Sequence, residues 1–342
     1  MAGIDWVRAL PWLAAVAAMA AAGALLARRH ALRHGLLDQP GERRSHEVPT
    51  PRGGGIGIAL AWTLACIVSA LAGIIPGLLA GLVVSGVVLV AGAGYVDDHR
   101  PLSPWWRLAA HVLAGVLLAV GLAATGATPW VALLALVAVP VMVNVWNFMD
   151  GINGLATSQA ALAALGLALM SASAPATLLA LALMAACLGF LPFNFPRARI
   201  FLGDVGSGML GFALAVLACL LLQEAPPQGG PGLLPLVFLP FSAFLIDAAL
   251  TLAWRIVRGE RWWTPHVDHA YQRLAARSGS HVPVTLAYGA WSTAAIVVAW
   301  VSSGQGLLAR MAAAGACAVL GAVVWSVVQG QLAPTSVRNA RR

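Results

Sequence analysis

Eleven apolar runs, each about long enough to cross a bilayer, dominate this chain at 9–27, 54–73, 77–96, 108–125, 128–147, 155–172, 176–193, 206–223, 232–254, 283–302 and 307–328. Few architectures accommodate such a pattern. Hydrocarbon offers backbone N–H and C=O groups no partners, so a spanning segment bonds within itself as a helix or belongs to a closed barrel. Runs of this length read as helices. Composition agrees: 60% of the 342 residues are hydrophobic and only 9% are charged. The expected fold is therefore an all-α, polytopic integral membrane protein of about eleven transmembrane helices. Residues 1–342 would form a single transmembrane domain.

Charge gives this bundle a direction. Arg28, Arg29 and Arg33 follow the first run and only Arg8 precedes it, which favours a first span with its N-terminus outside over a cleaved signal peptide. With eleven spans, the loops at 28–53, 97–107, 148–154, 194–205 and 255–282, and the tail after 328, share one side. All 20 basic residues are arginines, and all but Arg8 and Arg310 fall on that side. Positive-inside bias makes it the cytoplasmic side of the inner membrane. The net charge of +8 is thus a topology signal; arginines scattered over short loops do not form a nucleic-acid surface. Asp38, Glu42, Glu47, Asp97, Asp98, Asp150, Asp204, Glu260 and Asp268 gather on the same side, whereas Asp5 and Glu224 do not and Asp247 lies within a run. A transporter or lipid flippase would be expected to place its charges near the bilayer midplane. Polar chemistry collected at one face fits an enzyme acting on a lipid-anchored substrate. The four cysteines all lie in apolar runs, so neither a disulfide framework nor a thiolate metal site is expected.

Four polar stretches stand out on that side. Residues 194–207, from Asn194 to Ser207, hold Arg197, Arg199 and Asp204 with Gly203 and Gly206. A carboxylate beside glycine at the opening of a helix suits a metal-bound phosphate; a simple helix cap is the plainer alternative. Asp97 and Asp98 close a span, and adjacent carboxylates repel unless a proton or cation lies between them. Trp105 and Trp106 read as interfacial anchors. Residues 144–155 contain Asn147, Asp150, Gly151, Asn153 and Gly154, whose amides and carboxylate suit the edge of a nucleobase or, more plainly, a capped turn. The loop at 255–282 contains Arg255, His266, His269, Gln272 and Arg273; the three-residue spacing of 266, 269 and 272 predicts one shared helix face. That face would bind a pyrophosphate or lie on anionic lipid. Finally, Arg52 precedes Gly53-Gly54-Gly55, which would bring backbone to an anion or give a flexible entry to the second span.

In this order, Pro49-Thr50-Pro51-Arg52-Gly53-Gly54, Asp97-Asp98, Asn147-Phe148-Met149-Asp150-Gly151 and Phe201-Leu202-Gly203-Asp204-Val205-Gly206-Ser207 resemble the polyprenyl-phosphate N-acetylhexosamine-1-phosphate transferases of glycosyltransferase family 4. The resemblance covers most of the chain. It implies reaction of a UDP-N-acetylhexosamine with undecaprenyl phosphate at the cytoplasmic face, dependent on Mg²⁺ with Mn²⁺ as the alternative, and releasing UMP. By that resemblance Asp204 is a metal ligand; Mg²⁺ typically takes one or two carboxylates, so one of Asp97 and Asp98, taken as Asp98, would be the second. Asp97, Asp98, Asp150 and His269 carry the chemistry. Asn147 holds the pyrophosphate–metal unit, and Gly151, Asn153, Asn194 and Phe201 form the uridine pocket. Arg52, Arg199, His266 and Arg273 complete the substrate contacts. A second copy of the chain is a candidate partner.

Two departures matter. Asn153 stands where many members carry Asp. His266-Val267-Asp268-His269 replaces the three consecutive histidines of the muramoyl-pentapeptide enzymes and is nearer to members that initiate O-antigen in lipopolysaccharide synthesis. The sugar expected is therefore GlcNAc or a 6-deoxy analogue such as FucNAc or QuiNAc. Trp262-Trp263-Thr264-Pro265 offers a flat surface for the sugar or an anchor for the membrane. An N-out, C-in topology predicts that a reporter fused to the C-terminus is active in the cytoplasm; activity confined to the periplasm would contradict it.

Overall fold

The computed structural model describes residues 4–39, 48–224, 232–261, 263–264 and 266–331. Glu42, His46, Glu47, Pro226, Pro227, Trp262 and Pro265 lie outside the described residues. Among the described residues, twelve α-helices account for nearly all of the regular structure: α1 (Trp6–His34), α2 (Ile56–Leu71), α3 (Gly77–His99), α4 (Pro104–Ala124), α5 (Pro129–Phe148), α6 (Leu155–Met170), α7 (Ala174–Asn194), α8 (Gly203–Gln223), α9 (Leu234–Val257), α10 (Ala270–Ser278), α11 (His281–Ser303) and α12 (Leu307–Gln331). Eleven of them match the apolar runs one for one. The addition is α10, a nine-residue amphipathic helix inside the loop after α9.

Among the described residues, nine helices are long and apolar enough to cross a membrane. The other two apolar helices, α2 and α6, have 16 residues each, which is about 24 Å at 1.5 Å per residue and shorter than the hydrocarbon core. Glycines precede both: Gly53-Gly54-Gly55 before α2, and Gly151 and Gly154 before α6. The chain just ahead of each folds into the polar end of the bundle.

The helices pack around α8. Nearly every residue from Val205 to Leu222 is buried, as expected for a helix that is apolar on all sides. Its glycines admit close neighbours: a Cβ at Gly211 would meet the Met142 carbonyl at 2.4 Å, and one at Gly208 would meet Val90 at 3.0 Å. Helix α1 packs as closely, with Ala17 against Gly189 of α7 and Ala20 against Gly57 of α2. Without a hydrophobic drive between helices in lipid, such small-residue contacts supply van der Waals adhesion. Trp105 and Trp106 point outward, 70% and 73% exposed, as interfacial anchors would.

The polar loops meet at one end. Antiparallel pairing of Leu37–Asp38 with Thr50–Pro51 makes a short ribbon. The following segment docks on the entry to α8: Phe201 N–H donates to Pro51 O at 2.8 Å, Gly54 N–H to Phe201 O at 2.9 Å, and Gly55 N–H to Leu202 O at 2.8 Å. The glycines after Arg52 therefore serve backbone-to-backbone packing; the N–H groups of Gly54 and Gly55 are already committed and do not approach an anion. The opposite end has its own latch, where the Glu224 carboxylate accepts from Ser171 Oγ at 2.5 Å and Ala172 N–H at 2.7 Å.

A Cβ at Gly55 would lie 2.2 Å from Gly206 Cα and 2.8 Å from Gly206 N, both backbone atoms that cannot rotate away. Gly55→Ala should therefore lower stability by about 1–3 kcal/mol, the usual cost of overpacking, seen as a reduced thermal midpoint in detergent. An unchanged midpoint would show that the α2 entry is loosely held.

Candidate active site

Three carboxylates converge where α3 ends and α8 begins, and they are used differently. Asp98, buried, turns Oδ2 to the N-terminus of α8, accepting from Val205 N–H at 3.4 Å and from Asp204 N–H. The first N–H groups of a helix lack internal partners, so a carboxylate there satisfies them and complements the helix dipole. Gly203, with φ +76°, makes the turn possible, since a Cβ there would stand 2.8 Å from that same Oδ2 and 2.9 Å from Gly53 N. Asp97 faces outward from this contact. It accepts from Leu102 N–H at 2.6 Å and Arg107 Nη1 at 2.7 Å, and lies within hydrogen-bonding reach of Asp204. Asp204 is the most open, with its side chain 35% exposed, Arg107 Nη1 at 3.8 Å, and Asn147 Nδ2 donating to Oδ1 at 3.0 Å. Asn147 Nδ2 also donates to Ser207 Oγ at 3.2 Å.

The pairing of Asp97 with Asp204 is the feature that fits a cation. Two carboxylates at this separation repel unless a proton or metal is shared. No group of three or more His, Cys, Asp and Glu among the described residues makes a protein-only metal cage. Mg²⁺ is typically held by one or two carboxylates, with phosphate and water filling the rest, so this pair matches its needs. Asp150 lies close by. Burial first, then the Asp204 and Asp98 charges, push its carboxyl well above the usual carboxylate range.

A second group of residues joins the turns at 150–154 and 194–201. The Asn194 amide is buried with both ends engaged, accepting from Gly154 N–H at 2.8 Å and donating to Ile200 O at 3.0 Å. It braces the two turns from a buried position, with each end of the amide already holding one backbone partner. Asn153 is more open: Nδ2 donates to Pro196 O at 3.2 Å, and its backbone is held by His281 and Thr285. Phe201 is half-buried and pinned through its backbone. Arg199 is exposed; its guanidinium donates to Pro192 O at 2.5 Å and lies over the Phe193 ring. Arg52 pairs with Asp38 at 3.9 Å and lies near enough to Asp98 to act on its charge.

The histidine loop differs from expectation. His266 and His269 precede α10, and His269 is its N-cap residue, so 266, 269 and 272 do not share a helix face. The rings stack instead: His266 on His269 at 4.9 Å, His269 against Phe148 at 6.3 Å, and His269 against Tyr271 at 5.8 Å between centroids. The Tyr271 hydroxyl donates to Phe148 O at 2.9 Å and stands where any side chain at Gly151 would be. Burial, then the Asp247 and Asp150 charges, keep that phenol protonated well above its ordinary value, so it remains a donor. The histidine loop thus meets the acidic cluster at the 148–151 turn. Arg273 and Arg255 are held by Asp268. Burial alone would raise the Asp268 carboxyl; hydrogen bonds from Arg255 and Arg273 overcome it and hold the group below the ordinary value.

Arg107 and Tyr271 were not singled out by sequence. Arg107 follows a Trp pair that reads as a membrane anchor, and only the return of α4 shows it facing Asp97.

The chain matches the model of "Glycosyl transferase family 4" over residues 80–222. It is 32% identical to a decaprenyl-phosphate N-acetylglucosaminephosphotransferase of Mycobacterium tuberculosis, over 76% of this chain and 74% of the relative. It is 28% identical to a Bacillus subtilis protein named "Probable undecaprenyl-phosphate N-acetylglucosaminyl 1-phosphate transferase", over 75% of this chain and 74% of the relative. A phospho-N-acetylmuramoyl-pentapeptide-transferase of Synechococcus is 37% identical over 45% of this chain and 41% of the relative.

Burial, followed by the neighbouring His269 and Arg255 charges, depresses the His266 imidazole from 6.5 to about 4. A depressed folded value means the neutral ring contributes stability above about pH 6.5 that is lost as pH falls toward 4. His266→Gln should therefore lose less thermal stability than the parent across that interval. Equal losses would show that the His266 imidazole titrates alike in the folded and unfolded protein, and so is not depressed by its surroundings.

Proposed function

This chain belongs to glycosyl transferase family 4, the polyprenyl-phosphate hexosamine-1-phosphate transferases, and we propose that it moves N-acetylglucosamine-1-phosphate from UDP-GlcNAc to undecaprenyl phosphate. The products are undecaprenyl-pyrophosphate-GlcNAc and UMP. The observation that carries this reading is the Asp97–Asp204 pair beside Arg107, at the one end of the bundle where the polar loops converge. That end would be the cytoplasmic face of the inner membrane. The product would start O-antigen or a related cell-surface polysaccharide.

In this reading a phosphate oxygen of the lipid attacks the β-phosphorus of the UDP-sugar. The new P–O bond forms as the bond from that phosphorus to the bridging oxygen breaks, and UMP leaves with the electron pair. A phosphate monoester has its second pKa near 6, so the nucleophile is already largely dianionic at neutral pH and a strong base is unnecessary. The larger problem is bringing one anion onto another. Asp204 and Asp97 would hold Mg²⁺, whose contribution when bound is to offset that accumulated charge. Arg107, donating to Asp97 and close to Asp204, supplies a cation that a phosphate would meet on entry. Asn147 fixes the orientation of Asp204 through Oδ1. Asp98 would act by setting the α8 terminus, with its Oδ2 engaged there instead of at the metal. Gly151, Asn153 and Phe201 would border the uridine, and Asn194 would shape that pocket from behind.

GlcNAc is favoured because the relatives aligned over about three-quarters of the chain are named for it, whereas the pentapeptide-named relative aligns over less than half. A 6-deoxy-N-acetylhexosamine would also be accepted, since loss of a hydroxyl is rejected strongly only where a buried polar group needs it. Purified protein given undecaprenyl phosphate, Mg²⁺ and a panel of UDP-sugars tests this. UMP should be released from UDP-GlcNAc and from at least one 6-deoxy analogue, and not from UDP-N-acetylmuramoyl-pentapeptide. Asp204→Asn should abolish release while the protein still inserts. Efficient use of the pentapeptide substrate, or normal turnover by Asp204→Asn, would overturn the reading.

A further inference from the structure

Asp247 is the one carboxylate that sequence leaves inside an apolar run, and its side chain is 3% exposed. A charge buried at that depth in a membrane protein is costly unless it is paired, and it usually marks a task. Its two oxygens draw four donors from three helices. Oδ1 accepts from Ala270 N–H at 2.9 Å and Thr251 Oγ1 at 3.1 Å. Oδ2 accepts from Tyr271 N–H at 3.2 Å and Tyr288 Oη at 2.7 Å. An apolar cavity of about 250 Å³, bordered by Ile246, Leu274, Trp291 and Trp325, lies beside it. The carboxylate therefore depends on these donors.

The His269 ring completes the arrangement. Its Nδ1 is buried 3.6 Å from Asp247 Oδ1, and the same side chain faces the Gln272 backbone N–H in the α10 capping box. With Nδ1 turned to Asp247, Nε2 is the nitrogen left uncommitted to it. Asp247 also receives the first N–H groups of α10, so one side chain fixes both the helix and the ring at its N-cap. Through Phe148 and Gly151 this ring and Tyr271 bear on the turn that follows Asn147 and contains Asp150.

We propose that Asp247 is a positioning residue for the transfer reaction: from within α9 it fixes the orientation of His269 and the seat of α10 against the 148–151 turn. The inference rests on the transferase reading above, and it is distinct from the metal and uridine assignments.

Two measurements test it. The first is a double-mutant cycle on UMP release by the full-length protein in detergent with UDP-GlcNAc and undecaprenyl phosphate. Asp247→Asn should lower kcat by about tenfold to hundredfold, the usual effect of removing the partner that orients a functional imidazole, with little change in KM. Asp247→Asn combined with His269→Ala should be no slower than His269→Ala alone. Independent losses that multiply would overturn the proposal, because they would mean Asp247 acts without His269. If Asp247→Asn is not monodisperse, Tyr288→Phe removes a donor from the other oxygen of the same carboxylate. Its loss of several-fold in kcat should appear with His269 present and vanish in its absence; equal loss in both backgrounds would overturn the proposal. The second measurement needs no turnover. Diethyl pyrocarbonate labelling, read by mass spectrometry, should be slow at His269 in the parent and faster in Asp247→Asn or Tyr288→Phe. Equal labelling would overturn the pairing. A parent that releases no UMP from any UDP-sugar would fail the transferase reading, while the labelling would still decide whether Asp247 holds His269.

Discussion

A helix that is apolar on every side can be buried completely, but its N-terminus still presents N–H groups without partners. Helix α8 meets that constraint with a carboxylate borrowed from α3: Asp98 accepts from the backbone of Asp204 and Val205. The consequence extends beyond the cap. Because Asp98 and Asp97 are neighbours in sequence at a helix end, committing one carboxylate to α8 leaves the other directed to Arg107 and Asp204. The central helix of the bundle and the acidic pair at its mouth are thus set by one local interaction.

The same device recurs at α10. There Asp247 supplies the cap from within α9, and the residue it steadies is His269. In both places a buried carboxylate gives up solvent for backbone N–H donors, and a neighbouring polar side chain is left in a defined place. At the opposite end Glu224 accepts from Ser171, Ala172 and Ser173, tying the turn before α7 to the end of α8, while Ser173 caps α7 itself. Asp98, Asp247 and Glu224 thus accept from backbone N–H groups near helix ends, whereas Asp97 and Asp204 face each other beside Arg107.

The turn at 148–151 is where these two capped elements touch. Phe148 stacks on His269, its carbonyl accepts from Tyr271, and Gly151 leaves room for the phenol. A glycine that reads as a place for close approach of a nucleotide is also a place for close approach of the protein's own α10. Similarly, the glycines before α2 read as an anion cradle and prove to be a seam with Phe201 and Leu202. Glycine reports that something comes near, not what.

Sequence alone determined the helical class, the number and order of the apolar segments, and the gathering of charge on one side. These follow from hydropathy and local charge, which each segment carries regardless of its neighbours. The motifs that carry the family resemblance were legible for the same reason, being short and contiguous. Tertiary structure decided which oxygen meets which partner. Asp97 and Asp98 are indistinguishable in sequence, and their roles separate only because α8, more than a hundred positions later, arrives beside one of them. Asn194 reads as a polar side chain suited to a nucleobase, yet each end of its amide already holds one backbone partner, at Gly154 and Ile200. The histidine spacing suggests a helix face, but the helix starts one residue after His269, at the point where Asp247 can accept its first N–H groups. Periodicity describes a segment by itself, whereas a hydrogen bond between distant segments depends on how the whole bundle closes.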